Sequence, residues 1–407
     1  MTSSFHCPYQ QASLLQRAMT PDKMRVAFFV GAGCPTAIQV PDAMATKPLI
    51  PDIAGLTKQV AARLGNAAGG PSATFEVILK RLQASGKAKP NIEDILSHIR
   101  SLQEVVGAGA IDGLSGKSLV SLDTTICKII TDVVSASLPS DSTPYHHLAA
   151  WSGGVRRDHP IEIFTPNYDL LTEQALENQR IPYFDGFVGS DRTFFDLASM
   201  EQDKLPPRWA RLWKIHGSIN WWRTAAGNIE RHTNLNDGAQ QMIHPSHLKY
   251  DESRRMPYLA MLDRLRNFLM NGQAVLITCG YSFSDRHIND IIIQGLAGNS
   301  TAVCFALLYA DRAQYPAAVT AARSRSNFRL LAVDGAVLNT IERDWHSIAK
   351  TDHPLHSTAV QTGDMGPRTS TPADRCKLLL GDFTTFGLFL AQQLDSQEDI
   401  GEEFDAK

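Results

Sequence analysis

The segment FFVGAGC at positions 28–34 places two glycines directly after an apolar run. Glycine at such a turn lets the backbone approach a pyrophosphate, whose charge is then met by N–H groups at the start of the next helix. The third glycine of a G-x-G-x-x-G pattern is missing because position 36 is Thr36, so an ordinary tight turn explains the segment about equally well. The pattern itself singles out the glycine pair Gly31 and Gly33.

Polar residues also follow a second apolar run, in the segment FTPNYDLL at 164–171. Thr165, Asn167 and Asp169 would stand just past the carboxyl end of a buried strand, where ligands bind in open α/β sheets. An alternative for Asp169 is that it only caps a helix over 170–177. Because Asp169, two residues further on, can cap this helix, no local structural role is evident for Asn167, and we favour a functional role for it.

Two further segments carry a histidine and hydroxyl groups. In WKIHGSINWW at 213–222, His216 sits in an apolar stretch, where a neutral imidazole could act as a general base; a satisfied core histidine is the commoner alternative. In CGYSFSD at 279–285, Gly280 and the hydroxyls of Ser282 and Ser284 could bind ribose or phosphate oxygens. Asp285 could instead cap the helix that follows.

Five continuously apolar runs are the elements that would position these segments. Their lack of alternation is typical of parallel strands buried on both faces. Helical patterns at 258–270, 287–296 and 313–324 separate the later runs. Strands alternating with helices predict a doubly wound α/β fold, a Rossmann-like parallel sheet with helices on both faces. The runs lie at 25–30, 161–165, 274–278, 302–309 and 328–333.

The long stretch between the first two strands has the pattern of helices. Apolar residues spaced for one face predict helices over 52–64 and 119–138, and Asn91 is placed to cap another. Pro144, after Ser142-Thr143, is well placed to open a fourth. The sequence therefore predicts an all-helical insertion carried by the sheet domain.

The C-terminal part divides into a polar segment and an apolar one. Positions 351–372 are rich in proline and glycine, which predicts a linker or loop. Positions 375–394 are compatible with a helix, whose leucines and phenylalanines must dock on something. Two alternatives are open: the chain's own core, or another subunit, which would make this helix an assembly contact.

Composition excludes several classes of protein. The 407 residues include 39 Lys and Arg against 42 Asp and Glu, a formal charge of -3, so no overall basic field favours nucleic acid. No apolar run reaches the roughly 20 residues of a membrane helix, and the first residues lack a signal-peptide pattern. The six cysteines form no CxxC pair, which argues against a zinc knuckle and favours a reducing cytoplasm.

Taken in order, GAGC, TPNYD, KIHGSINW and GYSFSD resemble the sirtuin-like (Sir2-like) family of NAD-consuming Rossmann-type domains. Ile50-Pro51-Asp52 stands where sirtuins carry a Gly-Ile-Pro-Asp-Phe-Arg loop. Protein-deacylating sirtuins differ in having two zinc-binding CxxC pairs, and the helical insertion stands in place of their small zinc domain. The residues of these motifs are more similar to those of a bacterial branch of the family, which is found in anti-phage defence systems and whose members cleave NAD itself.

Pattern and resemblance together predict how the chain is divided. The predicted parts are an N-terminal extension (1–24), a sirtuin-like Rossmann domain (25–50 and 140–350), a helical insertion (51–139), a loop (351–372), and a C-terminal docking helix with an acidic tail (373–407).

The resemblance implies NAD as the substrate, and no zinc. Asn167 would hold the water or the nicotinamide ribose at the anomeric carbon, and His216 would accept a proton. These two are the implied catalytic residues. The residues implied for NAD binding are Gly31, Ala32, Gly33, Cys34, Thr36, Asp52, Thr165, Asp169, Gly280, Ser282 and Phe283.

The implied activity is that of an NAD+ glycohydrolase, which releases nicotinamide and ADP-ribose. The resemblance further implies a gated effector of anti-phage defence that acts by NAD depletion, a homo-oligomer, and a HerA-like ATPase as partner. Direct binding of nucleic acid or a membrane is not expected. The alternatives are a non-catalytic NAD or ADP-ribose sensor, and a protein deacylase or ADP-ribosyltransferase.

Overall fold

In a computed structural model, the chain folds around a central nine-stranded sheet. The structure describes residues 5–20, 23–42, 45–65, 70–107, 109–154, 157–224, 228–232, 257–346, 358–362 and 376–404, without the side chains of 223 and 395–404.

The first third of the chain contains one central strand and most of the helices. Its elements are α1 (Pro8–Met19), β1 (Arg25–Val30), α2 (Gly33–Ala37), β2 (Gln39–Asp42), β3 (Ala45–Pro48), α3 (Ile53–Gly65), α4 (Gly70–Ala84), α5 (Ile92–Val106), β4 (Ala110–Ile111), β5 (Leu114–Ser115), α6 (Gly116–Val134) and α7 (Pro144–Gly154).

The middle of the chain adds three strands of the central sheet and a small second sheet. Its elements are β6 (Glu162–Thr165), α8 (Leu171–Asn178), β7 (Tyr183–Phe184), β8 (Phe187–Val188), β9 (Thr193–Phe195), α9 (Leu197–Gln202), β10 (Ala210–Lys214), β11 (Trp221–Arg223) and β12 (Ile229–Arg231).

The last third alternates strands and helices before an antiparallel edge. Its elements are α10 (Tyr258–Met270), β13 (Ala274–Cys279), α11 (Arg286–Gly298), β14 (Ala302–Leu307), a 3-10 turn (Arg312–Gln314), α12 (Pro316–Ser324), β15 (Phe328–Leu331), β16 (Gly335–Leu338), β17 (Ile341–Asp344), β18 (Val360–Thr362), β19 (Cys376–Leu378) and α13 (Phe383–Phe404).

The central sheet has the order β17-β16-β15-β14-β13-β1-β6-β10-β7. The seven strands from β15 to β7 are parallel to their neighbours, and only β16 and β17 at one edge are antiparallel. The chain extends the sheet from β1 in one direction through β6 and β10, and in the other through β13 and β14. Such a reversal beside the first strand is the topological switch point of a doubly wound sheet. The predicted Rossmann-like fold is confirmed.

The two faces of the sheet are covered by different helices. On β1, Phe28 packs with Trp151 of α7 and Phe386 of α13, at ring-centroid distances of 5.3 and 6.1 Å. Phe29, on the opposite face, belongs to a core shared with α10, α11 and α12. All five apolar runs contain strands of this sheet, because residues buried on both sides must be apolar throughout.

The insertion between β1 and β6 is mainly helical. Asn91 caps α5 as expected, since its side chain accepts from the backbone N–H of Asp94 at 2.9 Å while Asp94 accepts from that of Asn91 at 3.1 Å. Helix α4 is an addition to the predicted helices. The insertion is not entirely helical, because β4 and β5, each two residues long, pair as an antiparallel hairpin. Helix α6 ends at Val134, earlier than the predicted 138.

The C-terminal helix α13 packs on its own chain. Phe383, Phe386, Phe389 and Leu390 are buried, and a Cβ on Gly387 would lie 2.7 Å from Cα of Pro144. The structure thus uses the apolar face for the chain's own core. The predicted loop at 351–372 needs correction at 360–362, which pair as β18 with β19; positions 351–357 and 363–372 lie outside the described residues.

Within the described ranges, none of the helices combines the length and the apolar composition that crossing a membrane requires.

Candidate functional site

A cleft of about 180 Å³ opens at the carboxyl edge of the parallel strands. Strands β1, β6, β10 and β13 all end at this edge, and each is followed by one of the four segments singled out above. The cleft is lined by residues from all four segments, among them Ala32, Asn167, His216 and Gly280. Parallel pairing therefore brings together residues that are far apart in the sequence, at the switch point where open α/β sheets bind ligands.

The floor of the cleft is formed by two loops in backbone contact. The N–H of Gly31 donates to the carbonyl of Cys279 at 2.9 Å, and the N–H of Gly33 donates to that of Gly280 at 2.8 Å. A Cβ on Gly31 would lie 2.3 Å from the Gly280 oxygen, and Gly280 itself has φ +66°. Only glycine permits this approach, so these glycines are required to join the loops.

Asn167 is held by hydrogen bonds that run across two strands. Thr165 Oγ1 donates to the carbonyl of Val30 at 2.8 Å and accepts from the backbone N–H of Asn167 at 3.0 Å. The Asn167 Nδ2 donates to the carbonyl of Gly31 at 3.1 Å. These bonds tie the residue after β6 to the end of β1 and fix the side-chain amide at the wall of the cleft.

His216 follows β10 on a tight turn. The N–H of Gly217 donates to the carbonyl of Lys214 at 3.1 Å, and Gly217 adopts φ +92°, which a residue with a side chain rarely takes. His216 lines the cleft, and its Nε2 lies 3.5 Å from Oδ2 of Asp285. A histidine and a carboxylate therefore face each other across the ends of β10 and β13.

Asp169 lines the same cleft and is almost fully buried. Burial raises its pKa to about 6, although the nearby Lys214 ammonium acts in the opposite direction. Its Oδ1 accepts from the backbone N–H of Leu171 at 3.1 Å, at the start of α8. Asp169 therefore both contacts the start of α8 and lines the cleft.

Lys214 lies beneath the cleft, 1% exposed, and joins two of its loops. Its ammonium donates to the carbonyls of Asp169 and, at 3.4 Å, of Tyr168 in the loop after β6. It also donates to Ser218 Oγ at 2.7 Å and forms an ion pair with Glu173 at 2.8 Å. This single buried cation fixes the loop of Asn167 relative to the loop of His216.

The helical insertion supplies an apolar wall of the cleft. Apolar side chains of Ile53 and Leu56 on α3 and of Val134 at the end of α6 line it, next to Ile50. Glu93, in the first turn of α5, lines this wall too. The insertion therefore contributes apolar side chains and one carboxylate to the lining, whereas the loops after the sheet strands contribute the other polar side chains.

Part of the chain matches a known protein family. Residues 161–329 match the SIR2-like domain. This match supports a Sir2-like family and an NAD-related activity in general. No curated protein matches the chain. The matched range contains β6, β10, β13 and β14, and the unmatched β1 lies between β13 and β6 in the same sheet.

Six of the thirteen predicted site residues share the cleft. They are Ala32, Asn167, Asp169, His216, Gly280 and Ser282. Ser282 Oγ lies 2.9 Å from Ser284 Oγ, and both serines line the cleft.

The other predicted residues support the cleft from behind or lie outside it. Cys34 is buried, and its thiol donates to the carbonyl of Cys279 at 3.2 Å. Thr36 Oγ1 donates to the carbonyl of Gly33, and Asp52 Oδ1 accepts from the N–H of Gly55. Phe283 is buried in the core, with its ring 4.6 Å from that of Tyr281. Gly31 and Gly33 make the backbone hydrogen bonds described above, and Thr165 makes the side-chain hydrogen bonds to Val30 and Asn167.

The expected phosphate cradle is in part already occupied by the protein. The N–H groups of Gly31 and Gly33 donate to the Gly280 loop, and that of Cys34 donates to the carbonyl of Gly31 at 3.1 Å. The sequence could not reveal the bonds of Gly31 and Gly33, because their acceptors, Cys279 and Gly280, lie at the end of β13, far along the chain. Ala32 is the residue of the GAGC loop that lines the cleft.

Two kinds of cleft residue were missed or only half recognised from the sequence. Asp285 is the expected cap of α11, since Oδ1 accepts from the N–H groups of His287 and Ile288 at 3.0 and 3.4 Å, but it also faces His216. For Ile53, Leu56 and Glu93 of the insertion, the sequence pattern gives no indication that they line a cleft. Among the described residues, no group of three or more His, Cys, Asp or Glu is placed to hold a metal ion.

Proposed function

We propose that the protein is an NAD+ glycohydrolase that releases nicotinamide and ADP-ribose. The observation that carries the proposal is that Asn167 and His216, from different strand ends, line one cleft at the switch point of the sheet. An amide that can orient a water and an imidazole that can accept its proton are what hydrolysis of an N-glycosidic bond needs. The match to the SIR2-like domain supports NAD as the substrate class.

The chemistry requires few protein groups because the leaving group is a pyridinium. As the C1′–N bond breaks, nicotinamide departs neutral with the bonding electron pair, so no general acid is needed. The ribose develops oxocarbenium character, and a water adds at C1′. Asn167, held by Gly31, would orient that water or the ribose, and His216 would take the proton that the water loses.

The lining of the cleft fits the two kinds of surface that NAD presents. The apolar side chains of Ile50, Ile53 and Leu56 suit an aromatic ring, and they exclude water from the reacting carbon. The paired hydroxyls of Ser282 and Ser284, which line the same cleft as Ala32 of the GAGC loop, suit the phosphate and ribose oxygens. We therefore assign the diphosphate to these groups rather than to the N–H groups of Gly31, Gly33 and Cys34.

Gating and biological role enter the proposal through the resemblance to defence proteins. A constitutive NAD hydrolase would harm its host, so we propose a regulated effector of anti-phage defence in the cytoplasm. A homo-oligomer and a HerA-like ATPase partner belong to the same proposal. Because α13 uses its apolar face within the chain, another surface would have to make the contact between subunits.

The direct test is incubation with NAD, with and without a neighbouring HerA-like ATPase, followed by chromatography of nicotinamide and ADP-ribose. Asn167→Ala and His216→Ala should each lower the rate by at least about two orders of magnitude. Asn271→Ala and His159→Ala are matched controls, since both residues are exposed near the opposite edge of the sheet and should leave the rate unchanged.

Other outcomes would point to the alternative functions. NAD binding without release of nicotinamide under either condition would favour a sensor. Product formed only with an acyl-lysine peptide would favour a deacylase, and transfer of label from NAD to protein would favour an ADP-ribosyltransferase. Wild-type turnover in either the Asn167 or the His216 variant would refute the assigned roles.

A further inference from the structure

The two carboxylate oxygens of Asp285 make different contacts. Oδ1 accepts from the first N–H groups of α11, from His287 at 3.0 Å and Ile288 at 3.4 Å. Oδ2 lies 3.5 Å from Nε2 of His216. The helix cap needs only an acceptor oxygen, whereas the contact with the imidazole uses the negative charge. Substitution can therefore separate the two contacts.

The contact between Asp285 and His216 lies in a sheltered part of the cleft. The side chains of His216 and Asp285 are 8% and 14% exposed, and both residues line the cleft. Removal of water strengthens the interaction between a carboxylate and an imidazole. A carboxylate in this position fixes the orientation and tautomer of a histidine, which determines the nitrogen that is free to accept a proton.

We infer that Asp285 is a positioning residue for His216, a role that rests on the proposed hydrolysis of NAD. The Asp285 carboxylate lies beside Nε2, orients the ring and favours its protonated form, so that His216 can accept a proton. When water adds to C1′ and nicotinamide leaves with the C1′–N electron pair, one water proton moves to the His216 imidazole. The Asp285 carboxylate offsets the charge of the resulting imidazolium, which then returns its proton to solvent.

Other charged groups around the cleft remain constant in the test. Asp169 and Glu93 line the same cleft, and the Lys214–Glu173 pair lies beneath the loops. None of these groups has to change for Asp285 to be replaced. A shift in the titration of His216 on replacement of Asp285 therefore reports on that carboxylate.

Asp285→Asn is the informative variant because asparagine caps helices about as well as aspartate but carries no charge. Asp285→Ser is a second uncharged capping variant. Asp290→Asn is the matched control, since Asp290 lies on the same helix with a side chain 54% exposed. The melting temperatures of Asp285→Asn and Asp290→Asn should lie within about 2 °C of the wild type, because the cap is kept.

We expect Asp285→Asn to lower kcat by about tenfold or more while KM changes less than about threefold, because a positioned base contributes roughly two to four orders of magnitude. The acid limb of the kcat–pH profile should move to lower pH by roughly one unit, since the lost negative charge had favoured the imidazolium. In a His216→Ala background, Asp285→Asn should cause no further loss. Asp290→Asn should behave as the wild type.

Histidine-selective 13C NMR gives a readout that does not need activity, with His216→Ala identifying the signal. The titration midpoint of His216 should fall in Asp285→Asn even if the protein proves not to hydrolyse NAD. An unchanged midpoint together with unchanged kcat would overturn the inference, and a rise in KM alone would make Asp285 a substrate contact instead. Unfolding of both Asp285→Asn and Asp285→Ser would also overturn it, because the charge would then be serving the fold.

Discussion

At the scale of single residues, the cleft depends on side chains that make contacts in two directions. Thr165 donates to the carbonyl of Val30 while accepting from the N–H of Asn167, so one hydroxyl joins two strands. Asp169 accepts from the N–H of Leu171 while lining the cleft. Such residues fix local backbone and site geometry together, which makes the geometry resistant to small displacements.

Asp169 gives a prediction about stability and pH. Its pKa is raised to about 6 in the folded protein by burial, compared with about 3.9 for an unperturbed aspartate, so between these values the folded chain holds a proton that the unfolded chain has lost. Stability should therefore fall as pH rises through this window. We expect wild type to lose about 2 kcal/mol relative to Asp169→Asn between pH 4 and pH 7.

Urea unfolding of both proteins at several pH values measures this difference. Asparagine keeps the acceptor for Leu171, so the variant removes the titration and little else. Asp263→Asn, at a side chain 48% exposed on α10, is the control and should follow the wild type. Parallel stability curves for wild type and Asp169→Asn would disprove the raised pKa.

At the scale of elements, the loops after β6 and β10 depend on one buried cation. Lys214 contacts the carbonyls of Tyr168 and Asp169, Ser218, and the carboxylate of Glu173. Lys214→Met should lower the free energy of unfolding by about 3–5 kcal/mol, because it leaves the Glu173 carboxylate buried without its partner. Lys214→Met combined with Glu173→Gln should recover part of the loss, as measured by urea unfolding. A loss below about 1 kcal/mol in the single variant would contradict the role of the cation.

Helix α13 allows packing within the chain to be distinguished from assembly. Phe386 is 1% exposed and contacts Phe28 and Phe389, whereas Leu388 on the same helix is 48% exposed. Phe386→Ala should lower the free energy of unfolding by about 3–5 kcal/mol, and Leu388→Ala should change it by less than about 0.5 kcal/mol. Light scattering should show the same particle mass for both variants. A lower mass for Phe386→Ala without loss of stability would instead make this face an assembly contact.

The elements that the sequence predicts well are those whose environment is uniform. The run at 25–30 is buried on both sides and is apolar throughout, and Asn91 with Asp94 forms a local capping box. Strand β17, with the sequence IERD, lies at the sheet edge with mixed exposure, so its residues carry no continuous pattern. The hairpin of β18 and β19 forms across a gap in sequence, and neither strand is distinctive alone.

At the scale of the whole molecule, the helical insertion completes the cleft that the sheet begins. Ile53 begins α3, is 37% exposed, and lines the apolar wall. Ile53→Asp should fold, because an acidic residue in the first turn of a helix is favourable. It should raise KM for NAD roughly tenfold, a cost of about 1.4 kcal/mol, because it places a charge where an aromatic ring would bind. Ile53→Val keeps the apolar wall, and its KM should match the wild type; equal KM values for all three would place the substrate elsewhere.

Three of the four motifs of the site could be found from the sequence because each follows a recognisable apolar strand, whereas β10, which precedes His216, is not among the predicted runs. The mutual contacts of the motifs could not be found, since they depend on which strands are neighbours. The resemblance implies that Phe283 binds NAD, but this residue is packed in the core beside Tyr281. The N–H groups of Gly31 and Gly33 were expected to face phosphate but meet the carbonyls of another loop. Asp285 had a sufficient local explanation as a cap, and this concealed its second contact.

The join between the GAGC loop and the Gly280 loop has a consequence for how the protein is made. Cys34 and the Cys279 carbonyl that it contacts are 245 positions apart, so the floor of the cleft closes only when β1 meets a strand synthesised much later. Pairing between such distant segments is slow compared with local helix formation. On the ribosome, the helical insertion can form while β1 still lacks β13 as a neighbour. A nascent chain that ends before β13 therefore has no complete cleft, so any NAD-consuming activity would begin only after most of the protein has been translated.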